Sequence, residues 1–255
     1  MQTSSVNEIK VELGKLKGYV EKLKIEVGQE KINRLSQRQI LVELKSSLER
    51  IKHFFLKEAK IYLEKLKPSS SFEEFLFSWK SKIEQEAESY FASLISSVNS
   101  RIYELDTPSY YKDEDVRRNM TNLIFSLDSF ITDLLDKLSL PLGGIARIGE
   151  LVSTVGLNEN WAVASCYLSA MEIAINKRLK KESVESGEKE FTGKFKTLLE
   201  VLEKKGIKIS ELEKELPPAF WKLRNQVIHA GYTPTEEELN FIITWVKKIL
   251  KLMAN

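Results

Sequence analysis

Apolar residues in the first 60 positions recur at alternating intervals of three and four, the spacing of a single hydrophobic seam along an α-helix. The seam loses its phase between Gly28 and Asn33 and then resumes, so either one long helix changes register or two helices fold back. We favour a break or kink in residues 28–36, because glycine is a poor residue for a helix interior. The pattern predicts coiled-coil-like helices with apolar positions Val6, Ile9, Leu13, Leu16, Val20, Leu23 and Val27, followed by Leu41, Leu44, Leu48, Ile51 and Phe55.

Two further helices are predicted before residue 140, and the first of them has a broader apolar face. Residues 67–71 separate it from the preceding seam, with Ser71 as N-cap and Glu74 completing a capping box. Residues 106–109 end this helix with a proline turn, and a fourth helix follows. The apolar positions are Phe72, Phe75, Leu76, Trp79, Ile83, Tyr90, Leu94, Val98, Ile102 and Leu105 in the third helix and Val116, Met120, Leu123, Leu127, Ile131, Leu134 and Leu138 in the fourth.

We expect the chain to change direction in residues 140–144, where Pro141 lies between two leucines and two glycines follow them. We place a boundary there, which predicts an N-terminal helical domain at 1–140 and a helical bundle at 145–255. A short helix over 145–155 precedes residues 161–175, which are apolar on nearly all sides, as is typical of the central helix of a bundle. No segment shows a sustained period of two, so the predicted fold is all-α, with a long-helix region followed by a four- to five-helix bundle.

The composition is that of a folded soluble protein and limits its surroundings. The 255 residues are 42% apolar and 30% charged, and a formal net charge of +2 neither requires a nucleic-acid partner nor excludes a local basic groove. The single cysteine, Cys166, cannot form an intramolecular disulfide, which favours a reducing compartment. We find neither a signal peptide nor an apolar run long enough to cross a bilayer, so we expect a cytoplasmic protein without a membrane partner.

Arg224, Asn225 and His229 form the strongest candidate for a functional site. The chain has 39 lysines and arginines but two histidines, and His229 lies five residues after Arg224 near the end of a predicted helix. Ala230 and Gly231 form the predicted stop of that helix. An interpretation without catalysis also fits: the arginine pairs with a carboxylate, and the histidine bonds the last carbonyls of the helix.

This stretch resembles the signature of the HEPN superfamily. In that signature four residues separate an arginine from a histidine, and the first of the four is polar. The resemblance covers roughly residues 145–255 and places helices from about Trp161, Phe191, Pro218 and Thr235, with the signature on the third of them. It implies an endoribonuclease that acts on RNA as a homodimer, with arginine and histidine from each chain in one cleft. It also implies that neither a metal ion nor another cofactor takes part.

Cleavage of RNA requires few groups from the protein, because the ribose 2′-hydroxyl is itself the nucleophile. His229 suits proton transfer near neutral pH, and Arg224 offers a planar fork of donors to phosphate oxygens. Asn225 could position the ribose or phosphate, or orient the histidine. Residues five apart on a regular helix point about 140° away from each other. Therefore either a loosened helix end turns His229 toward Arg224, or the two side chains meet across a two-fold axis.

Glu172 and Gly231 also bear on this hypothesis. Glu172 is the only charged residue in positions 161–175, and a carboxylate in an apolar helix should contact a cation or other donors, for which Arg224 is a candidate. A glutamate that faces solvent or an interface fits the same position. Part of the HEPN superfamily has tyrosine two residues after the histidine, whereas here Gly231 has that place and Tyr232 follows it, so a role that depends on that tyrosine is not expected.

Two functions of different classes follow from these residues. The leading hypothesis is a metal-independent endoribonuclease with Arg224, His229 and Asn225 as catalytic residues and Glu172 in support. The HEPN resemblance adds a role as a toxin or defence effector, restrained by a nucleotidyltransferase-type antitoxin or another protein partner. The alternative is a non-catalytic helical module that binds a protein or nucleic acid. The sequence contains no recognisable zinc pattern and no glycine-rich phosphate loop, so no metal or cofactor is expected.

Overall fold

The computed structural model of the chain describes residues 4–64, 73–140, 142, 144–157, 159–184, 191–207, 209 and 216–254. These residues form nine α-helices and no strand, which confirms the predicted all-α fold. Within the same ranges, no helix has an apolar stretch of the length needed to traverse a lipid bilayer. The helices are α1 (Ser4–Gly28), α2 (Arg34–Leu63), α3 (Glu73–Asp106), α4 (Asp113–Ser139), α5 (Gly144–Thr154), α6 (Asn160–Lys181), α7 (Phe191–Lys204), α8 (Pro218–Ala230) and α9 (Glu236–Ala254).

Contacts between residues divide the chain into two compact units, and neither unit is one continuous segment. The change of unit after Ser139 lies at the predicted boundary in residues 140–144. The domains predicted at 1–140 and 145–255 remain a prediction, because a division by contacts does not show that either part folds alone. The first unit comprises Met1–Ile61, Trp79–Ser139 and Thr154–Gly156, and the second comprises Tyr62–Ser78, Leu140–Ser153 and Leu157–Asn255.

In the first unit, α1 and α2 are separate helices, as the loss of hydrophobic phase predicts. α1 ends at Gly28, and α2 begins at Arg34 after Asn33, whose side-chain oxygen accepts the backbone N–H of Ser36 at 3.1 Å. This N-cap interaction satisfies an N–H group that has no acceptor within the first turn of the helix. Every apolar position predicted for the two seams is buried. The predicted break in residues 28–36 is therefore confirmed.

The core of the first unit also includes α3 and α4, but Tyr90, Leu94 and Ile102, three of the apolar positions expected in α3, are only half-buried. Phe91 is buried where Tyr90 was expected, and Tyr90 is half-buried. Phe91 packs edge-on against Phe55 and Phe130, with ring centroids 5.8 Å and 5.9 Å apart. A phenyl ring can be buried completely, whereas a tyrosine needs a partner for its hydroxyl. All positions predicted for α4 are buried, as are Trp79, Ile83, Val98 and Leu105 of α3, while Ser71 and the side chains of Phe72, Glu74, Phe75 and Leu76 lie outside the described part.

In the second unit, α6 is the central helix, as its apolar composition predicts. It packs against α7, α8 and α9, and most of its residues are buried. α9 begins with a capping box: the Thr235 N–H donates to Glu238 Oε2 at 2.9 Å, and the Glu238 N–H donates to Thr235 Oγ1 at 3.3 Å. The helices expected from about Trp161, Phe191, Pro218 and Thr235 begin at Asn160, Phe191, Pro218 and Glu236.

Candidate functional site

Three of the four candidate residues lie on α8, whose ends follow from the local sequence. Pro218 is its first residue, where the missing N–H of proline costs no helical hydrogen bond. Gly231 follows its last residue with a φ of 66°, a left-handed conformation that glycine adopts without a clash from a Cβ atom. The predicted stop at Ala230 and Gly231 is confirmed.

Arg224 and His229 contact each other within one chain. Nη1 of Arg224 lies 3.0 Å from Nε2 of His229. After the last residue of α8, Gly231 is left-handed and the N–H of Tyr232 donates to the carbonyl of Gln226 at 3.1 Å. The two side chains meet although residues five apart on a regular helix point about 140° away from each other. The contact forms within one chain, so it does not require a second copy across a two-fold axis.

The contact defines the hydrogen-bonding state of the imidazole. A guanidinium has donors and no acceptor, so Arg224 donates and Nε2 of His229 accepts. An accepting Nε2 carries no proton, which places the proton of the neutral ring on Nδ1. The nitrogen of His229 that can accept a proton therefore faces the guanidinium, the side-chain group best suited to bind a phosphate.

Arg224 has two further polar partners. The same Nη1 donates to Oδ1 of Asn225 at 3.0 Å, and Nη2 donates to Oε2 of Glu172 at 3.2 Å. Glu172 lies on α6, so this ion pair joins α8 to the central helix. The Arg224 side chain is 10% exposed, and that of Glu172 is 38% exposed. The structure thus brings together all four residues singled out in the sequence, with Asn225 bonded to the arginine.

Phe191 is a residue of this site that the sequence did not indicate. Its ring lies under the guanidinium of Arg224, with Cζ 5.1 Å from the ring centroid, and Phe191 is buried. A cation over an aromatic face is attracted by the charge distribution of the ring. Phe191 also packs edge-on against Trp221, with centroids 5.4 Å apart. The sequence placed Phe191 at a helix start, but the residue that it meets depends on how α7 packs.

Trp161 is the second residue that the sequence did not assign to this site. Its indole Nε1 donates to the backbone carbonyl of Val227 at 2.9 Å. The preceding residue, Asn160, donates from Nδ2 to the backbone carbonyl of Pro234 at 2.9 Å. These two residues begin α6, and the carbonyls that they bind lie before and after His229 in the chain. The start of the central helix therefore holds the turn that follows α8.

Other reactive side chains have different surroundings. His53 is exposed in the first unit, with its ring 5.6 Å from that of Phe54. Burial raises the pKa of the Cys166 thiol to about 12, so this cysteine stays protonated near neutral pH. A hydrogen bond to Glu238 raises the pKa of Tyr232. Among the residues that the structure describes, no three His, Cys, Asp or Glu side chains are grouped so that they could hold a metal ion.

Comparisons with known proteins identify no relative of this chain: no family model, no curated protein and no solved structure matches it. The functional interpretation therefore rests on the residues of the site and on their geometry. The resemblance to the HEPN superfamily remains an expectation, carried by Arg224, Asn225 and His229 and by the helices around them.

Proposed function

We propose that the second unit is a metal-independent endoribonuclease of the HEPN type, with Arg224 and His229 as its catalytic residues. The observation that supports this proposal is the 3.0 Å contact between Nη1 of Arg224 and Nε2 of His229. This contact places a proton acceptor beside a group that binds phosphate. These are the two groups that RNA cleavage requires when the substrate supplies the nucleophile.

In the proposed reaction, a phosphate of the RNA replaces His229 as a partner of Arg224 and so frees Nε2. Nε2 then accepts the proton of the neighbouring 2′-hydroxyl, and the 2′-oxygen bonds to phosphorus. The bond from phosphorus to the 5′-oxygen breaks, and an imidazolium returns a proton to that oxygen. The guanidinium stabilises the negative charge that builds up on the phosphate oxygens. The products are a 2′,3′-cyclic phosphate and a 5′-hydroxyl.

Glu172 and Asn225 support this reaction by holding Arg224 before the substrate arrives. Glu172 bonds Nη2 from α6, whereas Asn225 bonds Nη1 from within α8. A guanidinium that is already oriented loses less conformational freedom when it binds a phosphate. Asn225 is exposed and so is open to solvent and to a bound ribose or phosphate.

We further propose that two copies act together, because a second imidazole would let one histidine act as base while the other acts as acid. A toxin or defence effector, restrained by a nucleotidyltransferase-type antitoxin, is the biological role that the HEPN resemblance implies. In that role the N-terminal helices would set partner choice or access to the nuclease.

A non-catalytic helical module is the second candidate, and one observation favours it. Arg224 has partners within the chain on both terminal nitrogens of its guanidinium, and its side chain is 10% exposed. A buried arginine that is satisfied in this way can serve packing alone. Such a module would bind another helix or nucleic acid and would cleave no RNA.

Incubation with mixed-sequence RNA in EDTA separates the two candidates. The proteins compared are wild type, Arg224→Lys, His229→Gln and His53→Gln, which changes the other histidine of the chain and serves as the matched control. We expect wild type and His53→Gln to leave 2′,3′-cyclic phosphate ends, with both site variants at least about 100-fold slower. If folded wild type cleaves none of a varied set of RNAs, the nuclease is rejected in favour of the module.

A further inference from the structure

We propose that the groove between α8 and α9 binds the base of the ribonucleotide whose 2′-hydroxyl is attacked, and that it selects an amino-bearing purine, adenine or guanine. The groove has a volume of about 370 Å³. The inference rests on the proposed nuclease and deepens it, because it names the base that the RNA presents to the same site.

The groove lies next to the proposed catalytic pair on the same helix. Lys222, Leu223 and Gln226 line it from α8. Gln226 is three residues before His229, and residues three apart on a helix are neighbours, with Cβ atoms about 5–6 Å apart. In a ribonucleotide, the base and the 2′-hydroxyl are attached to neighbouring carbons of the sugar. A nucleotide whose 2′-hydroxyl meets His229 therefore has its base within reach of the groove.

The size and the apolar lining of the groove fit a purine ring. Phe241, on the α9 side, is half-buried, and its ring contacts those of Phe220 and Trp245 with both centroid distances at 6.5 Å. An aromatic ring held in this way offers a surface on which a base can stack. At roughly 30 Å³ for each non-hydrogen atom, a purine needs about 300 Å³ and a pyrimidine about 240 Å³. A pyrimidine would therefore leave about a third of the groove empty.

Two carboxylates at the start of α9 give the groove its preference for an amino group. Glu237 and Glu238 both line it, and Glu238 is held in place because its Oε2 accepts the Tyr232 hydroxyl and the Thr235 N–H, each at 2.9 Å. The hydrogen bond from the Thr235 backbone, followed by that from Tyr232, keeps the pKa of Glu238 below its ordinary value. The carboxylate is thus ionised near neutral pH and only accepts. The amino groups of adenine and guanine donate to such an acceptor, whereas the carbonyl oxygens of uracil bring negative charge toward it.

The α8 side of the groove supplies complementary groups. The amide of Gln226 has both donors and an acceptor, the combination that pairs with the ring nitrogen and amino group of adenine and that can also donate to guanine. Lys222 is exposed, so its ammonium group can neutralise an RNA phosphate beside the bound base.

The test measures binding separately from cleavage. Nucleoside 3′-monophosphates carry no 5′-oxygen leaving group and so are not substrates, and calorimetry gives their Kd. Adenosine is compared with purine riboside and guanosine with inosine, each as the 3′-monophosphate, because the two members of each pair differ only by an amino group. The variants are Gln226→Ala and Glu237→Ala, and Glu236→Ala is the matched control, an exposed glutamate beside Glu237 that does not line the groove.

We expect wild type and Glu236→Ala to bind each amino-bearing nucleotide at least about tenfold more tightly than its partner, with the ratio falling to about twofold in Gln226→Ala and Glu237→Ala. Wild type should also cleave RNA at least about tenfold faster after adenosine or guanosine than after uridine.

The remaining outcomes separate this inference from the proposed function. If wild type cleaves equally well after all four bases and the amino group changes no Kd, the inference is overturned and the nuclease stands. If the amino group strengthens binding but folded wild type cleaves no RNA, the nuclease is rejected and the groove is the purine site of a nucleic-acid-binding module. If neither selective binding nor cleavage is found, both are rejected.

Discussion

In each unit an ion pair joins two helices. In the first unit the carboxylate is the buried member of the pair, and in the second unit the guanidinium is the buried member. In the first unit, Arg50 Nε on α2 lies 2.8 Å from Glu12 Oε2 on α1, and the glutamate is the buried member at 7% exposure against 42% for the arginine. In the second unit, Arg224 is the buried member at 10% exposure, against 38% for Glu172. The first pair therefore shields an anion, and the second shields a cation.

The partners of the buried groups differ in the same way. The carboxylate of Glu12 is bonded by two cations, Arg50 at 2.8 Å and Lys15 at 2.7 Å. The guanidinium of Arg224 has one carboxylate partner and two neutral acceptors, from Asn225 and His229. All three bonds have the charged guanidinium as donor, but only the bond to Glu172 joins opposite charges, so a phosphate can displace the neutral acceptors more easily than it could displace a counter-charge. A buried carboxylate whose bonded partners are cations, such as that of Glu12, suits the packing of helices. A buried guanidinium whose partners include neutral groups, such as that of Arg224, suits the binding of a ligand.

The largest expected difference between the two pairs is in the rate of RNA cleavage. Glu172→Gln removes the charge that holds Arg224, and we expect kcat to fall about tenfold because the guanidinium loses its orientation. Glu12→Gln should leave kcat unchanged, because that pair joins α1 to α2 and has no part in the proposed reaction. Single-turnover cleavage rates and unfolding curves of both variants provide the comparison.

Two outcomes would break this comparison. Wild-type cleavage by Glu172→Gln would remove Glu172 from the site and support an ordinary partly exposed glutamate. Faster cleavage by the same variant would mean that the carboxylate competes with the phosphate for Arg224. In either case, Glu172 would not be a positioning residue.

A smaller effect is expected from the ring under Arg224. Phe191→Leu keeps an apolar side chain but removes the aromatic face beneath the guanidinium, and we expect kcat to fall about fivefold. Phe195→Leu is the matched control, because Phe195 lies one turn further along α7 and packs on the same Trp221 with centroids 6.2 Å apart. Cleavage rates are compared with the free energy of unfolding. Equal losses of rate in the two variants would assign the effect to general packing.

The smallest predicted effect concerns acid stability in the first unit. Burial, the largest single influence, would raise the pKa of Glu12, but hydrogen bonds from Lys15 and Arg50 outweigh it and hold the pKa below its ordinary value of 4.5. Folding therefore favours the ionised carboxylate. Its stabilising contribution is present above about pH 4.5 and is lost as the pH falls through the lowered pKa of the folded state.

Urea unfolding of wild type and Glu12→Gln at pH 7 and pH 3 measures this contribution. We expect the variant to be less stable by about 1 kcal/mol at pH 7, and the difference to shrink toward pH 3 as the carboxylate of Glu12 becomes protonated. A stability difference that stays constant between the two pH values would show that the charge of Glu12 contributes nothing beyond its hydrogen bonds.

The helices of both units could be predicted because their apolar residues repeat at helical spacing. The seam of α1 and its end at Gly28 are local properties, since a helix is built from hydrogen bonds between residues four apart. The error in α3 is also instructive: Tyr90 and Phe91 are adjacent, and spacing alone did not decide which of them enters the core. The choice depended on Phe55 and Phe130, which lie on other helices.

At the candidate site, the identities of Arg224 and His229 could be read from their spacing and from the rarity of histidine, whereas their contact could not. A regular helix would point them about 140° apart. Next to their contact, Trp161 binds the backbone carbonyl of Val227 across 66 positions, and Arg224 meets Glu172 across 52 positions. Local spacing specifies where helices begin and end and which side chains they carry. The packing of α8 against α6 selects the distant groups that meet, because buried donors, acceptors and charges must find partners wherever the fold places them.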